Sequence, residues 1–247
     1  MRRILIVGAT SAIAEHCARI WVRNSNVVLT LVGRDRARLE GLRADLEVRS
    51  PQSIFNIAVL NFEDPIAIAD LATTTTTSGP LDIVLIAHGF LPNQDACEHD
   101  LSLASSTLSL NGISPVLFAE AFAGQLATSN HGTLAMIGSV ASDRGRRTNY
   151  VYGAAKALVA VYAAGLQHRF AGTNVKVVLI KPGPTATPMT ADLQQRGRRL
   201  ARVDRVASSI VKAIDAGQPA LYTPAVWRPI MFVIRHLPQG IFNKLKV

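Results

Sequence analysis

Seven short apolar runs, almost without polar interruption, constrain this chain more than any other feature. They span residues 4–7 (ILIV), 27–32 (VVLTLV), 54–60 (IFNIAVL), 82–87 (DIVLIA), 133–138 (TLAMIG), 175–180 (VKVVLI) and 220–223 (ALYT). A strand with one face in water alternates apolar and polar residues; these runs do not, so each is expected to be covered on both faces. Between them lie stretches of helical periodicity, at 15–22, 35–49, 64–72, 101–127 and 152–171. Strand alternating with helix predicts an α/β, doubly wound, three-layer fold around a seven-stranded parallel sheet.

The 247 residues, 49% of them hydrophobic, suffice for one domain over 1–247 with a core of its own. Cys17 and Cys97 have no paired Cys or His spacing around them, and the histidines share no ligand spacing, so neither a disulfide framework nor a metal site is expected. The run Thr73 to Thr77, followed by Ser78, Gly79 and Pro80, reads as a helix end fraying into a turn and a loop before the fourth strand. The amino-terminal apolar stretch is too short for a signal sequence and reads as a buried strand, and no window approaches the length of a membrane span. A cytoplasmic location is the expectation. The formal charge of +9 favours acidic partners, but no basic block or nucleic-acid-binding motif accompanies it, so no nucleic-acid partner is expected.

The first run leads into Gly8-Ala9-Thr10-Ser11-Ala12-Ile13-Ala14 and then a helical pattern. A tight strand-to-helix turn directs backbone N–H groups and the positive end of the helix dipole at a pyrophosphate. The second run ends at Gly33-Arg34. An acid there would accept from the adenine ribose hydroxyl, whereas a guanidinium pairs with a 2'-phosphate; Arg34 therefore points to NADP(H) over NAD(H).

Tyr152 and Lys156, at positions i and i+4, share one helix face. An ammonium near a phenol favours the ionised form, so the pair can exchange a proton with an alcohol or carbonyl. Ser139 ends the fifth run, at the carboxyl edge where ligands bind in such sheets, and its hydroxyl can polarise a carbonyl. Asn111 sits in an otherwise apolar helix and needs buried partners for its amide. After the sixth run, Pro182, Gly183, Pro184, Thr185 and Thr187 form a rigid turn able to wall in a nicotinamide.

In this order and spacing, Gly8, Asn111, Ser139, Tyr152 with Lys156, and Pro182-Gly183 make the chain resemble the short-chain dehydrogenase/reductase family over nearly its whole length. The resemblance implies a Rossmann-type fold and a homo-oligomer. It also implies that a small-molecule carbonyl or alcohol exchanges hydride with the nicotinamide. Tyr152 is then the general acid/base, Ser139 orients the substrate, Lys156 holds the nicotinamide ribose and lowers the Tyr152 pKa, and Asn111 supports a water linked to Lys156. Cofactor contacts are implied for Gly8, Thr10, Ser11, Ala12, Ile13, Arg34, Asn61, Phe62, His88, Gly89, Tyr152, Lys156, Pro182, Gly183, Thr185 and Thr187.

Departures from the family pattern matter too. Ala12 and Ala14 stand where the glycine-rich turn has glycine, Ile86-Ala87-His88-Gly89 replaces Asn-Asn-Ala-Gly, and Asn61 replaces an Asp. They motivate a second reading, a non-catalytic NADP(H)-binding sensor or scaffold. Arg144, Arg146 and Arg147 crowd the loop before Tyr152, suiting an anionic substrate, or else forming a solvated or interface loop. The loop is similar to a subgroup whose reductases act on a lipid-linked keto-sugar. The tail 226–247 is basic and amphipathic: Trp227, Ile230, Met231, Val233, Ile234 and Leu237 are interspersed with Arg228, Arg235 and His236, with Lys244 and Lys246 beyond. Such a segment closes the pocket, meets a partner subunit, or lies on the inner face of a membrane.

Overall fold

The computed structural model describes residues 1–245. Its strands are β1 (Arg2–Val7), β2 (Val27–Gly33), β3 (Ile54–Val59), β4 (Ile83–Ile86), β5 (Thr133–Ile137), β6 (Lys176–Pro182) and β7 (Ala220–Thr223). All pair in parallel, in the order β3-β2-β1-β4-β5-β6-β7. The helices are α1 (Ala12–Asn24), α2 (Arg36–Arg49), α3 (Pro65–Thr76), α4 (Gln94–His99), α5 (Leu101–Leu108), α6 (Ser114–Ser129), α7 (Tyr150–Arg169), α8 (Ala191–Gln195), α9 (Val203–Asp215), α10 (Trp227–His236) and α11 (Gln239–Phe242). This is the Rossmann-type α/β architecture that the seven runs predict.

Side-chain alternation along each strand builds the two covering layers. Ile4 and Ile6 of β1 face α1, α2 and α9, where they meet a core containing Cys17, Trp21, Leu39 and Ile210. Leu5 and Val7 face α3, α6 and α7, in a second core with Leu71, Phe118, Phe122 and Val159. Both faces of the strand are dry, which is why its residues are apolar without alternation. Strand order reverses between β1 and β4, and the crevice this opens at the carboxyl ends of the strands positions the site.

Three sequence expectations change. The loop expected from Thr73 begins only at Thr77: Thr73 to Thr76 form the last turn of α3, the helix end that frays into a turn. The Thr73, Thr75 and Thr76 hydroxyls donate to the Ala69, Leu71 and Ala72 carbonyls at 3.1, 2.7 and 2.9 Å, so each satisfies itself within the helix. The stretch expected as one helix over 101–127 is interrupted by a π-turn at Ser109–Ile113, with Asn111 at its centre. Third, the helical stretch Leu101–Ser129 is long and apolar enough, by length and composition, to cross a membrane, against the expectation that no window is. Its apolar face, with Phe118, Phe122 and Leu126, lies in the second core.

The strongly amphipathic α9, with Val206, Ala207, Ile210, Val211 and Ile214 buried, adds a helix outside the stretches assigned above. Of the tail residues, Lys246 lies outside the described residues.

Candidate active site

The turn after β1 is pinned to β2: the Gly8 and Ala9 N–H groups both donate to the Val32 carbonyl, at 2.9 and 3.0 Å. Gly8 has φ +77°, and a Cβ there would lie 2.7 Å from the His88 nitrogen. Glycine is required by both conformation and space. Ser11 precedes α1 without using its side chain as a cap, so the first N–H groups of the helix and a hydroxyl remain for a ligand. The alanines expected to crowd this turn do not line the cleft. Ala14 is fully buried in the core beside Cys17 and Ala18, whereas the cleft wall is formed by Gly8, Thr10, Ser11 and Ile13.

Arg34 and Phe62 line the outer half of the cleft, with the Arg34 guanidinium 5.8 Å from the Phe62 ring centroid. Arg34 has no carboxylate partner among the described residues. Arg38 joins it, donating to the Thr10 carbonyl at 3.2 Å. Arg38 was missed in the sequence although it stands one helical turn from Arg34. Asn61, expected at the cofactor, instead accepts from the Glu63 N–H at 3.1 Å and lines neither half of the cleft. A short polar side chain after a strand closes its own turn more readily than it reaches across a groove.

His88 lies between the two halves, 7% exposed. The Ser114 hydroxyl donates to the Phe62 carbonyl at 2.6 Å and so accepts from the His88 Nε2–H at 2.9 Å. That fixes the tautomer and leaves Nδ1 a buried acceptor without a partner. Burial, with Lys156 and Arg34 nearby, pushes the imidazole down to about 3, so it is neutral.

The inner half is a cleft of about 860 Å³ including its mouth, lined among others by Ser139, Tyr152, Lys156, Pro182, Gly183, Thr185 and Thr187. Helix α7 carries Tyr152 and Lys156 one turn apart, and Ser139, two residues past the end of β5, lines the same cleft. The Lys156 Nζ lies 5.9 Å from the Tyr152 ring centroid and donates to the Ile137 carbonyl at 3.1 Å. The expectation that Lys156 lowers the Tyr152 pKa is not what the chain's own groups produce. Burial raises the phenol to about 12, with the Ser139 hydroxyl opposing, and burial lowers Lys156 to about 8. A phenol so poised is a proton donor near neutrality.

Asn111 is wholly buried, accepting from the Phe90 N–H at 2.9 Å and donating to the Thr107 carbonyl at 3.0 Å. It therefore fixes the loop after β4. A Cβ on Gly89 would strike the Asn111 oxygen at 2.6 Å. The π-turn at Ser109–Ile113 widens the helix where Asn111 turns its amide to the loop after β4.

The loop arginines divide. Arg144 donates to the Ile234 and Leu237 carbonyls, both at 2.6 Å, and to Gln239, and stacks over Phe242 at 3.9 Å. Arg147 is exposed, and only Arg146 lines the cleft. Arg144 thus anchors the tail. Inward, the tail buries Met231 and Phe242, and Trp227 stacks where a Gly183 side chain would otherwise stand. Outward it exposes Phe232 and Val233. Neither cysteine is exposed, and burial pushes the Cys17 thiol up. No cluster of three metal-ligating side chains occurs among the described residues.

The glycine cradle, the free Arg34 and the bare His88 Nδ1 fit a dinucleotide in the long axis of the cleft, nicotinamide end toward Tyr152.

Comparison with known proteins agrees with this geometry. An uncharacterized oxidoreductase of Mycobacterium tuberculosis is 27% identical over 98% of this chain and 96% of its own length. Another from Streptomyces coelicolor is 26% identical over 100% and 96%. A short-chain dehydrogenase from Sphingobium yanoikuyae, solved with NADPH, superposes with a TM-score of 0.83 at 21% identity, covering 100% of this chain and 97% of that one. One from Burkholderia cenocepacia, solved with NADP, gives 0.83 at 17% identity over the whole of both chains. The family model for short chain dehydrogenase matches residues 2–197, and the chain belongs to that family.

Proposed function

We propose that the chain is an NADP(H)-dependent oxidoreductase that reduces a carbonyl compound, or oxidises the corresponding alcohol, with Tyr152 as proton donor and acceptor. One observation carries the reading: Ser139, Tyr152 and a buried Lys156 line one end of a cleft whose other end offers a glycine cradle and an Arg34 with no carboxylate partner among the described residues. The solved relatives with NADPH and NADP support the choice of cofactor, and Arg34 with Arg38 supplies the positive charge a 2'-phosphate requires.

When bound, the cofactor supplies a hydride to the carbonyl carbon. The remaining work falls to side chains of this chain. Ser139 and Tyr152 donate hydrogen bonds to the carbonyl oxygen, stabilising the negative charge that develops there. Tyr152, held protonated by burial, delivers its proton to that oxygen, and the product is an alcohol. The Lys156 ammonium stabilises the phenolate left behind. In this reading the tail backs the substrate mouth through Met231, whose sulfur lies 3.6 Å from the Arg146 guanidinium. Its exposed Phe232 and Val233, flanked by Arg228 and Arg235, suit contact with an anionic membrane surface.

The test is Tyr152→Phe. The variant is expected to bind NADPH with wild-type affinity, measured by nucleotide fluorescence, and to lose turnover by at least about a hundredfold. Wild-type turnover in the variant removes the proton role. NADPH binding by the wild type, with no ketone or aldehyde reduced across a broad panel, favours the sensor or scaffold reading.

A further inference from the structure

Among the described residues Arg146, in the wall of the catalytic cleft, forms no ion pair. Its Nε is buried with no hydrogen-bond partner, and its terminal nitrogen reaches only the Met231 sulfur, at 3.6 Å. A buried guanidinium that lacks oxygen acceptors is costly, and such groups persist where a ligand completes them.

The nearest carboxylate is committed elsewhere. Asp143 holds the Lys181 ammonium at 2.5 Å on one oxygen and accepts from the Tyr222 hydroxyl at 2.7 Å on the other. Burial works against the Arg146 guanidinium, the charge of Asp143 partly offsets this from a distance, and Arg198 adds a second positive charge nearby. No aspartate or glutamate is among the residues lining this cleft, whereas Arg146 and Lys156 both are. Lys156 is directed at the Ile137 carbonyl, beside Tyr152, which leaves Arg146 as the charge on the substrate side. The same lining includes the apolar side chains of Leu91, Val140, Met189 and Leu193, alongside the uncharged polar Asn149, Thr187 and Thr190.

We propose that the substrate is a carbonyl compound with an apolar body and an oxyanion group, carboxylate or phosphate, which Arg146 binds while Ser139 and Tyr152 hold the carbonyl. The planar fork of arginine suits either anion through paired N–H donors. The proposal rests on the reductase reading, since Ser139 and Tyr152 mark where the carbonyl lies.

The experiment uses the full chain saturated with NADPH, which removes competition at Arg34. Probes are 5-oxohexanoate and 3-benzoylpropionate, each beside its methyl ester, and inorganic phosphate, with sodium chloride at matched ionic strength as control. Thermal midpoints and NADPH oxidation are read in the wild type, Arg146→Met and Arg146→Lys. The wild type is expected to be stabilised by the two carboxylates and by phosphate but not by the esters, and to prefer carboxylate over ester in kcat/KM by about tenfold or more. Arg146→Met, which keeps the apolar stem against Met231, is expected to lose both effects while retaining NADPH affinity, and Arg146→Lys to keep part of each.

Equal behaviour of acid and ester in the wild type overturns the proposal, as does a preference that survives in Arg146→Met. Stabilisation that depends on Arg146 with no turnover of any probe supports the anion site and counts against the reductase reading instead. If Arg146→Met does not fold, competition in the wild type decides. Phosphate must inhibit reduction of the acids and spare the esters, and inhibition of neither or of both overturns the assignment.

Discussion

Gly8 and His88 nest back to back: a Cβ built on Gly8 would lie 2.7 Å from both the backbone nitrogen and the Cβ of His88. The contact joins the turn after β1 to the end of β4, across the point where strand order reverses. Gly8→Ala is therefore expected to lower stability by at least about 2 kcal/mol, from the left-handed backbone and the collision together. Chemical denaturation checks this, and NADPH binding is expected to fail even where the variant folds. A neutral substitution would mean that the turn can move away from β4.

Arg34 bears on cofactor choice. Arg34→Ala is expected to weaken NADPH binding about tenfold to a hundredfold, the worth of a charge-assisted contact, and to leave NADH binding unchanged. Titration of both nucleotides against the variant measures the ratio. Equal losses for the two would show that Arg34 does not contact the 2'-phosphate.

His88 links stability to acid. Its pKa is lowered from 6.5 to about 3, so between those values the unfolded chain binds a proton that the folded chain refuses. Stability is therefore complete above about pH 6.5 and declines on acidification, with a slope near 1.4 kcal/mol per pH unit for one proton. Asp45, lowered to about 2, adds a loss only at the acid end of that window. In His88→Asn the decline between about pH 6 and 4 is expected to flatten, as read from thermal midpoints. An unchanged slope would assign the acid sensitivity to other groups.

Lys156 sets an alkaline limit on turnover. Burial lowers its ammonium to about 8, and loss of that charge removes the group facing the Tyr152 phenolate. Reduction is expected to hold up to about pH 7.5 and to fall through about pH 8 to 9, well before the phenol itself would titrate. A kcat/KM profile that stays level to pH 10 would contradict this placement.

Arg144 is a structural arginine in a loop of apparent ligand binders. Arg144→Ala removes its hydrogen bonds to the Ile234 and Leu237 carbonyls and the stack on Phe242. The variant is expected to lose about 1 to 3 kcal/mol and to become susceptible to trypsin after Arg235, in the last turn of α10. Substrate affinity is expected to change less than in Arg146→Met. Resistance to trypsin equal to that of the wild type would show that the tail is held by other contacts.

Much of this arrangement was legible in the residues. The runs at 4–7 and 83–86 show no polar alternation because both faces of those strands are buried, and that pattern depends only on composition along the strand. Tyr152, Lys156 and Ser139 could be paired in advance because one turn of helix and one strand end are local geometry. The threonine run marked a helix end, and the helix persists to Thr76 because the side chains donate to their own backbone, an extent its composition does not favour. Asn61 misled because its turn contact competes with a ligand contact at the same strand end.

By itself, then, the sequence determined the layers, the parallel sheet and the strand ends at which the cleft opens, since each follows from spacing along the chain, while the roles proposed for Ser139, Tyr152 and Lys156 rest on the family resemblance. Only the tertiary structure decided what surrounds those residues. It turned the Ala14 methyl into the core, placed Arg144 on the tail and gave Asp143 to Lys181 and Tyr222. It also left Arg146 unpaired in the wall and raised the Tyr152 phenol by burial where the neighbouring ammonium suggested the opposite. Charge pairing and desolvation depend on groups brought together from distant parts of the chain, and no local pattern records which of two arginines, three positions apart or less, will find its partner first.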